Sequence, residues 1–140
     1  ALALADVKLV CLAGFMRILT DGFVERWRDK LINIHPSLLP SFKGLHTHER
    51  ALEEGVRFSG CTIHFVRPAM DDGPIIIQAA VPILAGDTRD DLAARVLEQE
   101  HIVYPQAVRM IAEDRIEVDG KRVKINDAGQ PAGAIINPSK

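Results

Sequence analysis

The chain has 140 residues, enough for one domain with its own hydrophobic core. At 47% apolar, 26% charged and a net charge of −2, it has no basic block to suggest a nucleic-acid partner. No apolar run approaches the roughly 20 residues of a membrane span, and no basic leader precedes an apolar stretch, so the reading is cytoplasmic, without membrane or signal peptide.

Val7 to Ala13 is a short apolar run ending at Gly14, and it reads as a strand buried on both faces. Cys11 and Cys61 each sit in such a segment, which predicts a reduced, buried pair. Thr20 or Asp21 caps a short helix through Arg28, and Lys30 to His35 forms the next strand. This β-α-β start predicts a parallel, right-handed crossover. Pro36 to Gly44 is a loop, and His46 to Glu54 a helix stopped by Gly55. Ser59 to Val66 alternates as a strand, Arg67 to Pro74 is a loop, and Ile75 to Val81 is a strand closed by Pro82.

Thr88 with Asp91 resembles a capping box, with Asp in the usual Glu or Gln place. The longest helix follows, to about Asp114, with Leu92, Val96, Gln99, Val103 and also Leu97, Ile102 at helical spacing. Pro105 is expected to kink or break it. Arg115 to Val118 and Lys121 to Ile125 read as a hairpin turning at Asp119-Gly120, and residues 126–140 as a loose tail. The fold class is therefore α/β, an open, mostly parallel twisted sheet with helices on both faces and a C-terminal hairpin. Residues 1–118 form the main domain, and 119–140 the hairpin and tail. No Gly-rich turn follows an initial strand, so neither a dinucleotide fingerprint nor a phosphate loop is present. Either the fold is small or an N-terminal portion is missing.

The chemistry concentrates in Asn33-Ile34-His35-Pro36. Alternation along a strand turns Asn33 and His35 to one side and Ile32 and Ile34 to the other. An amide beside an imidazole at the C-terminal end of a strand suits a developing oxyanion. Asp71 and Asp72 precede Gly73-Pro74 on a tight loop; adjacent carboxylates do not both enter one pocket, so at most one acts. His46 and His48 diverge on a helix and no third ligand follows at metal spacing, so no metal is expected. Leu12 to Leu19 packs in a core or floors a flat aromatic pocket. Glu100 beside His101 is most simply surface charge.

Four ordered segments carry a resemblance: Leu12 to Leu19, Asn33 to Pro40, Gly44 to His48, and Asp71 with Gly73-Pro74. Over about residues 1–118 the chain resembles the phosphoribosylglycinamide formyltransferases, within the folate-dependent formyltransferases of Rossmann-like fold. The resemblance implies transfer of the formyl group of 10-formyltetrahydrofolate, the co-substrate, to the amine of glycinamide ribonucleotide in purine synthesis. It implies that Asn33 and His35 stabilise the oxyanion and that Asp71 orients His35 and helps move protons through water. By the same resemblance folate is expected against Phe15, Met16, Arg17, Ile18 and Leu19, with Val66, Arg67 and Met70 closing over it. Pro36 and Glu100 face the ribonucleotide, and a homodimer is left open. The family begins with further strands and a phosphate-gripping loop that this sequence lacks, so the 140-residue chain alone is expected to be inactive or very weak. Asp72 stands where the family has a second glycine. The alternatives are a 10-formyltetrahydrofolate hydrolase and an inactive folate-binding fragment.

Overall fold

A computed structural model describes residues 7–14 and 19–140. Four strands form one sheet in the order β1 (Val10–Ala13), β2 (Leu31–His35), β3 (Phe58–Phe65), β4 (Ile75–Pro82). Only β1 and β2 run parallel; β2–β3 and β3–β4 are antiparallel. The expectation of a mostly parallel sheet is thus corrected to a mixed one. The reason lies in the link after β2. Helix α2 (Thr47–Glu54) leaves and re-enters at the same end of the sheet, so His35 pairs with Thr62 and no crossover is needed.

Helix α1 (Asp21–Arg26) starts as expected: the Thr20 hydroxyl accepts from the Phe23 N–H at 3.2 Å. It ends two residues short of Arg28. Gly55, at φ +74°, closes α2 in the left-handed conformation that suits glycine. Helix α3 (Arg89–Ala112) begins in a complete Thr88/Asp91 capping box. It continues through Pro105 without a break. His101 and Pro105 both face outward, so water can serve the carbonyl that the proline leaves without a donor.

The two faces of β2 feed two cores. Ile32 and Ile34 join Ile63, Phe65, Ile76 and the buried stripe of α3 (Leu92, Val96, Val103, Ala107, Met110). Leu31 points the other way, to Val24 and Trp27 at α1. Leu97 and Ile102 share the helical spacing of α3 but lie off its buried stripe and are exposed. Strand β1 is shorter than expected and alternates half-buried and exposed: Val10 and Leu12 pack on the α1 core while Cys11 and Ala13 lie on the other face, and among the described residues it forms one edge of the sheet. Cys11 on it is exposed, so the expected buried pair reduces to Cys61 alone. Burial and the Glu100 carboxylate push the Cys61 thiol up to about 11.

A hairpin of β5 (Ile116–Asp119) and β6 (Arg122–Ile125) packs Val118 and Val123 on the larger core. Its turn is Gly120-Lys121, one residue later than expected, since Asp119 pairs with Arg122 and Gly120 takes the positive φ of +64°. The tail is tied near its end, where the Asn137 amide donates to the carbonyls of Arg57 at 2.7 Å and Ile83 at 2.9 Å. Among the described residues, no helix is long and apolar enough to cross a membrane.

Beside the start of α3, Arg95 holds Asp87 by two bonds of 2.7 and 2.9 Å, and the Leu84 N–H donates to the same carboxylate at 2.8 Å. Chiefly through Arg95, the Asp87 carboxyl falls from its ordinary 3.8 to about 2. The folded value lies below the unfolded one, so this stabilisation is complete above the ordinary value and disappears as pH falls through about 2. Denaturant unfolding between pH 4 and pH 2 is expected to show a steeper loss of stability in the wild type than in Asp87→Asn (approximate window set by the two values).

Candidate active site

The alternation of β2 places Asn33 and His35 on the face opposite Ile32 and Ile34. In the antiparallel register Asn33 stands across from His64, and His35 from Thr62, so four polar side chains share one side of two neighbouring strands. His35 is 6% exposed. Its Nε2 lies 2.9 Å from the Phe42 carbonyl oxygen. A carbonyl only accepts, so Nε2 carries a hydrogen, and Nδ1 is the nitrogen that meets Asp71 Oδ1 at 3.6 Å. Only a ring protonated at Nδ1 as well can donate to that carboxylate.

Asp71 reaches this position by a left-handed residue conformation, φ +51°. Its Oδ2 accepts from the Gly44 N–H at 2.8 Å, which couples the β3–β4 loop to the loop after β2. Asp72 turns the other way. Its carboxylate meets Lys43 at 3.3 Å and Lys121 at 3.8 Å, and these cations, Lys43 first, hold it below the usual carboxylate range. The extra negative charge is therefore paired away from Asp71, and the hairpin turn reaches the site loop through Lys121.

The loop after β2 is held by hydroxyls and amides that sequence reasoning did not single out. Thr62 donates to the Ser37 carbonyl at 2.7 Å and accepts from the Leu39 N–H at 3.0 Å. Gln78 donates to the Leu39 carbonyl at 3.0 Å. Phe42, at φ +53°, presents the carbonyl that His35 binds, and Arg50 lies over its ring at 5.6 Å. His64 was also missed. It is 2% exposed, its Nδ1 is 2.9 Å from the Phe65 carbonyl oxygen, and its Nε2 is buried without a partner. Burial pushes its titration below the ordinary histidine range, against the pull of the Phe65 carbonyl and Asp71. The available signal was period two: Thr62 and His64 are polar between Ile63 and Phe65.

Of the residues expected to face folate, Phe15, Met16, Arg17 and Ile18 lie outside the described residues. Leu19 and Val66 pack on the same small core as Val24, Trp27 and Leu31. Arg67 pairs with Asp29 at 2.6 Å, and Met70 is exposed on the loop tip near Gly44. Pro36, half-buried, follows His35 directly. Glu100 stands apart on α3, which packs on the other side of the sheet; it is half-buried, and burial pushes its carboxyl up. His46 begins α2 at φ +57° without a side-chain cap and meets Glu49 at 3.6 Å. No cluster of three metal-binding side chains occurs among the described residues.

Residues 1–108 match the formyl transferase family. The chain is 48% identical over 122 residues to a phosphoribosylglycinamide formyltransferase of Escherichia coli K12, covering 82% of this chain and 58% of that protein. It is 54% identical over 113 residues to the trifunctional purine biosynthetic protein adenosine-3 of Gallus gallus, covering 81% of this chain and 11% of that one. A phosphoribosylglycinamide formyltransferase crystal structure from Anaplasma phagocytophilum superposes with a TM-score of 0.88 at 52% identity, over 92% of this chain and 64% of that one. The chain thus spans less than two thirds of the length of these relatives.

Proposed function

The chain belongs to the formyl transferase family, and from that premise we propose that it carries the catalytic centre for formyl transfer from 10-formyltetrahydrofolate to the amine of glycinamide ribonucleotide. The observation that supports this most is the His35–Asp71 pair, 3.6 Å apart and buried between two loops, with Asn33 on the same sheet face. In the proposed reaction the amine attacks the formyl carbon. The carbonyl electrons move onto oxygen, and tetrahydrofolate leaves when the tetrahedral adduct collapses.

His35 offers its Nε2 hydrogen to that oxygen in place of the Phe42 carbonyl, and the Asn33 amide offers a second donor. Asp71 orients the ring through its approach to Nδ1 and passes protons by way of water. Folate is assigned to Leu19, Val66, Arg67 and Met70 together with 15–18, which lie outside the described residues, and the ribonucleotide to Pro36 beside His35.

The test measures formyl transfer by the chain itself and by a chimera in which it replaces the matching stretch of the E. coli relative. Transfer that requires ribonucleotide is expected in the chimera. Formate released at the same rate without ribonucleotide would make the activity a hydrolase, and folate binding without turnover in the chimera would leave a binding module.

A further inference from the structure

His64 and Asn33 present an unresolved pairing. The Phe65 carbonyl can only accept, so His64 Nδ1 bears the ring hydrogen and Nε2 is left as a buried lone pair. Directly across the β2–β3 ladder, Asn33 Oδ1 is likewise buried without a donor. Two acceptors thus stand in facing positions, closed to water. The ring is held in this orientation by the Phe65 carbonyl, which takes the Nδ1 hydrogen at 2.9 Å. The Asn33 amide can turn, since a half-rotation about its last side-chain bond swaps oxygen and nitrogen with no change of shape.

We propose that His64 is a positioning residue of this site: its Nε2 takes one hydrogen of the Asn33 carboxamide and fixes that amide for the formyl oxygen. The inference rests on the transfer reading above. The amide nitrogen has two hydrogens; one goes to His64 and the other remains for the oxyanion. His35 and Asp71, the other titratable groups acting on the ring, bear on it in opposite senses, and burial keeps it neutral, so the lone pair persists.

Two measurements test this. In nitrogen-15 spectra of the chain, His64 Nε2 is expected at the position of an unprotonated ring nitrogen. One Asn33 side-chain proton is expected downfield and slow to exchange, and normal in His64→Phe. In the chimera, His64→Phe is expected to lower kcat about tenfold, the value of one neutral hydrogen bond, with KM for ribonucleotide unchanged. His64→Gln, which restores an acceptor, is expected to recover most of that loss and keeps the test open if the phenylalanine variant does not fold. On an Asn33→Ala background, His64→Phe is expected to cost nothing further. Asn33 signals unmoved by either substitution, or losses that simply add, would overturn the proposal. Absence of transfer in the unsubstituted chimera would instead count against the transfer reading, with the spectra still deciding the His64–Asn33 bond.

Discussion

His35→Ala is expected to lower kcat for formyl transfer by about 10²–10³, the usual cost of one oxyanion donor, while KM for both substrates changes little. The argument is positional. The imidazole ends β2, is closed off from bulk water, and has a hydrogen on Nε2 and a carboxylate at Nδ1. Removing it deletes the donor and also leaves the Phe42 carbonyl and the Asp71 carboxylate without their ring partner. Asp71→Asn separates these effects. The asparagine oxygen can still accept from the Gly44 N–H, so the two loops stay joined, but the carboxylate that faces Nδ1 is gone. Its loss of kcat is expected to overlap with that of His35→Ala, so that the double variant is little worse than the poorer single one. Steady-state kinetics on the chimera, with thermal melts alongside, would decide. A His35→Ala enzyme within threefold of wild type would remove the residue from the chemistry (approximate margin for one donor).

How far such a site can be read without coordinates depends on the distance over which its parts interact. Asn33 and His35 lie two residues apart on one strand, and strict alternation is enough to put them on the same side. The Thr20 and Thr88 caps are equally local, each closing on a residue three positions ahead. Asp71 is 36 positions beyond His35, and no periodicity joins them; family resemblance supplied that link. His64 escaped notice for a related reason. A histidine inside an apolar strand reads as core, and its importance comes from register, which sets it opposite Asn33. Strand direction failed likewise. A helix between strands suggests a crossover, but α2 is eight residues long and returns at the end it left. Cys11 misled because an apolar run does not tell which face of a strand is covered.

Gly73→Ala is expected to be the most damaging substitution that removes no polar side chain. The loop carrying Asp71 comes down flat on the end of β3, where the Phe65 N–H donates to the Pro74 carbonyl at 2.9 Å. A Cβ at Gly73 would fall 1.5 Å from the Phe65 oxygen and 2.7 Å from its carbonyl carbon. These are backbone atoms and cannot turn aside, so the loop must lift. Lifting it draws Asp71 away from both Gly44 and His35, and disturbs the carbonyl that holds His64 Nδ1. One methyl group therefore unseats the acid and the buried histidine together. The expected cost is on the order of 2–4 kcal/mol, read as a fall of about 10 °C in Tm. A loss of kcat at least as large as that of Asp71→Asn should accompany it. Gly22→Ala is the control: it lies in α1, a Cβ there meets nothing within 4 Å, and it is expected to leave Tm level or slightly raised. A Gly73→Ala protein that melts with the wild type and keeps its rate would mean that the loop has room the backbone geometry denies, and that the position of Asp71 does not depend on its contact with β3.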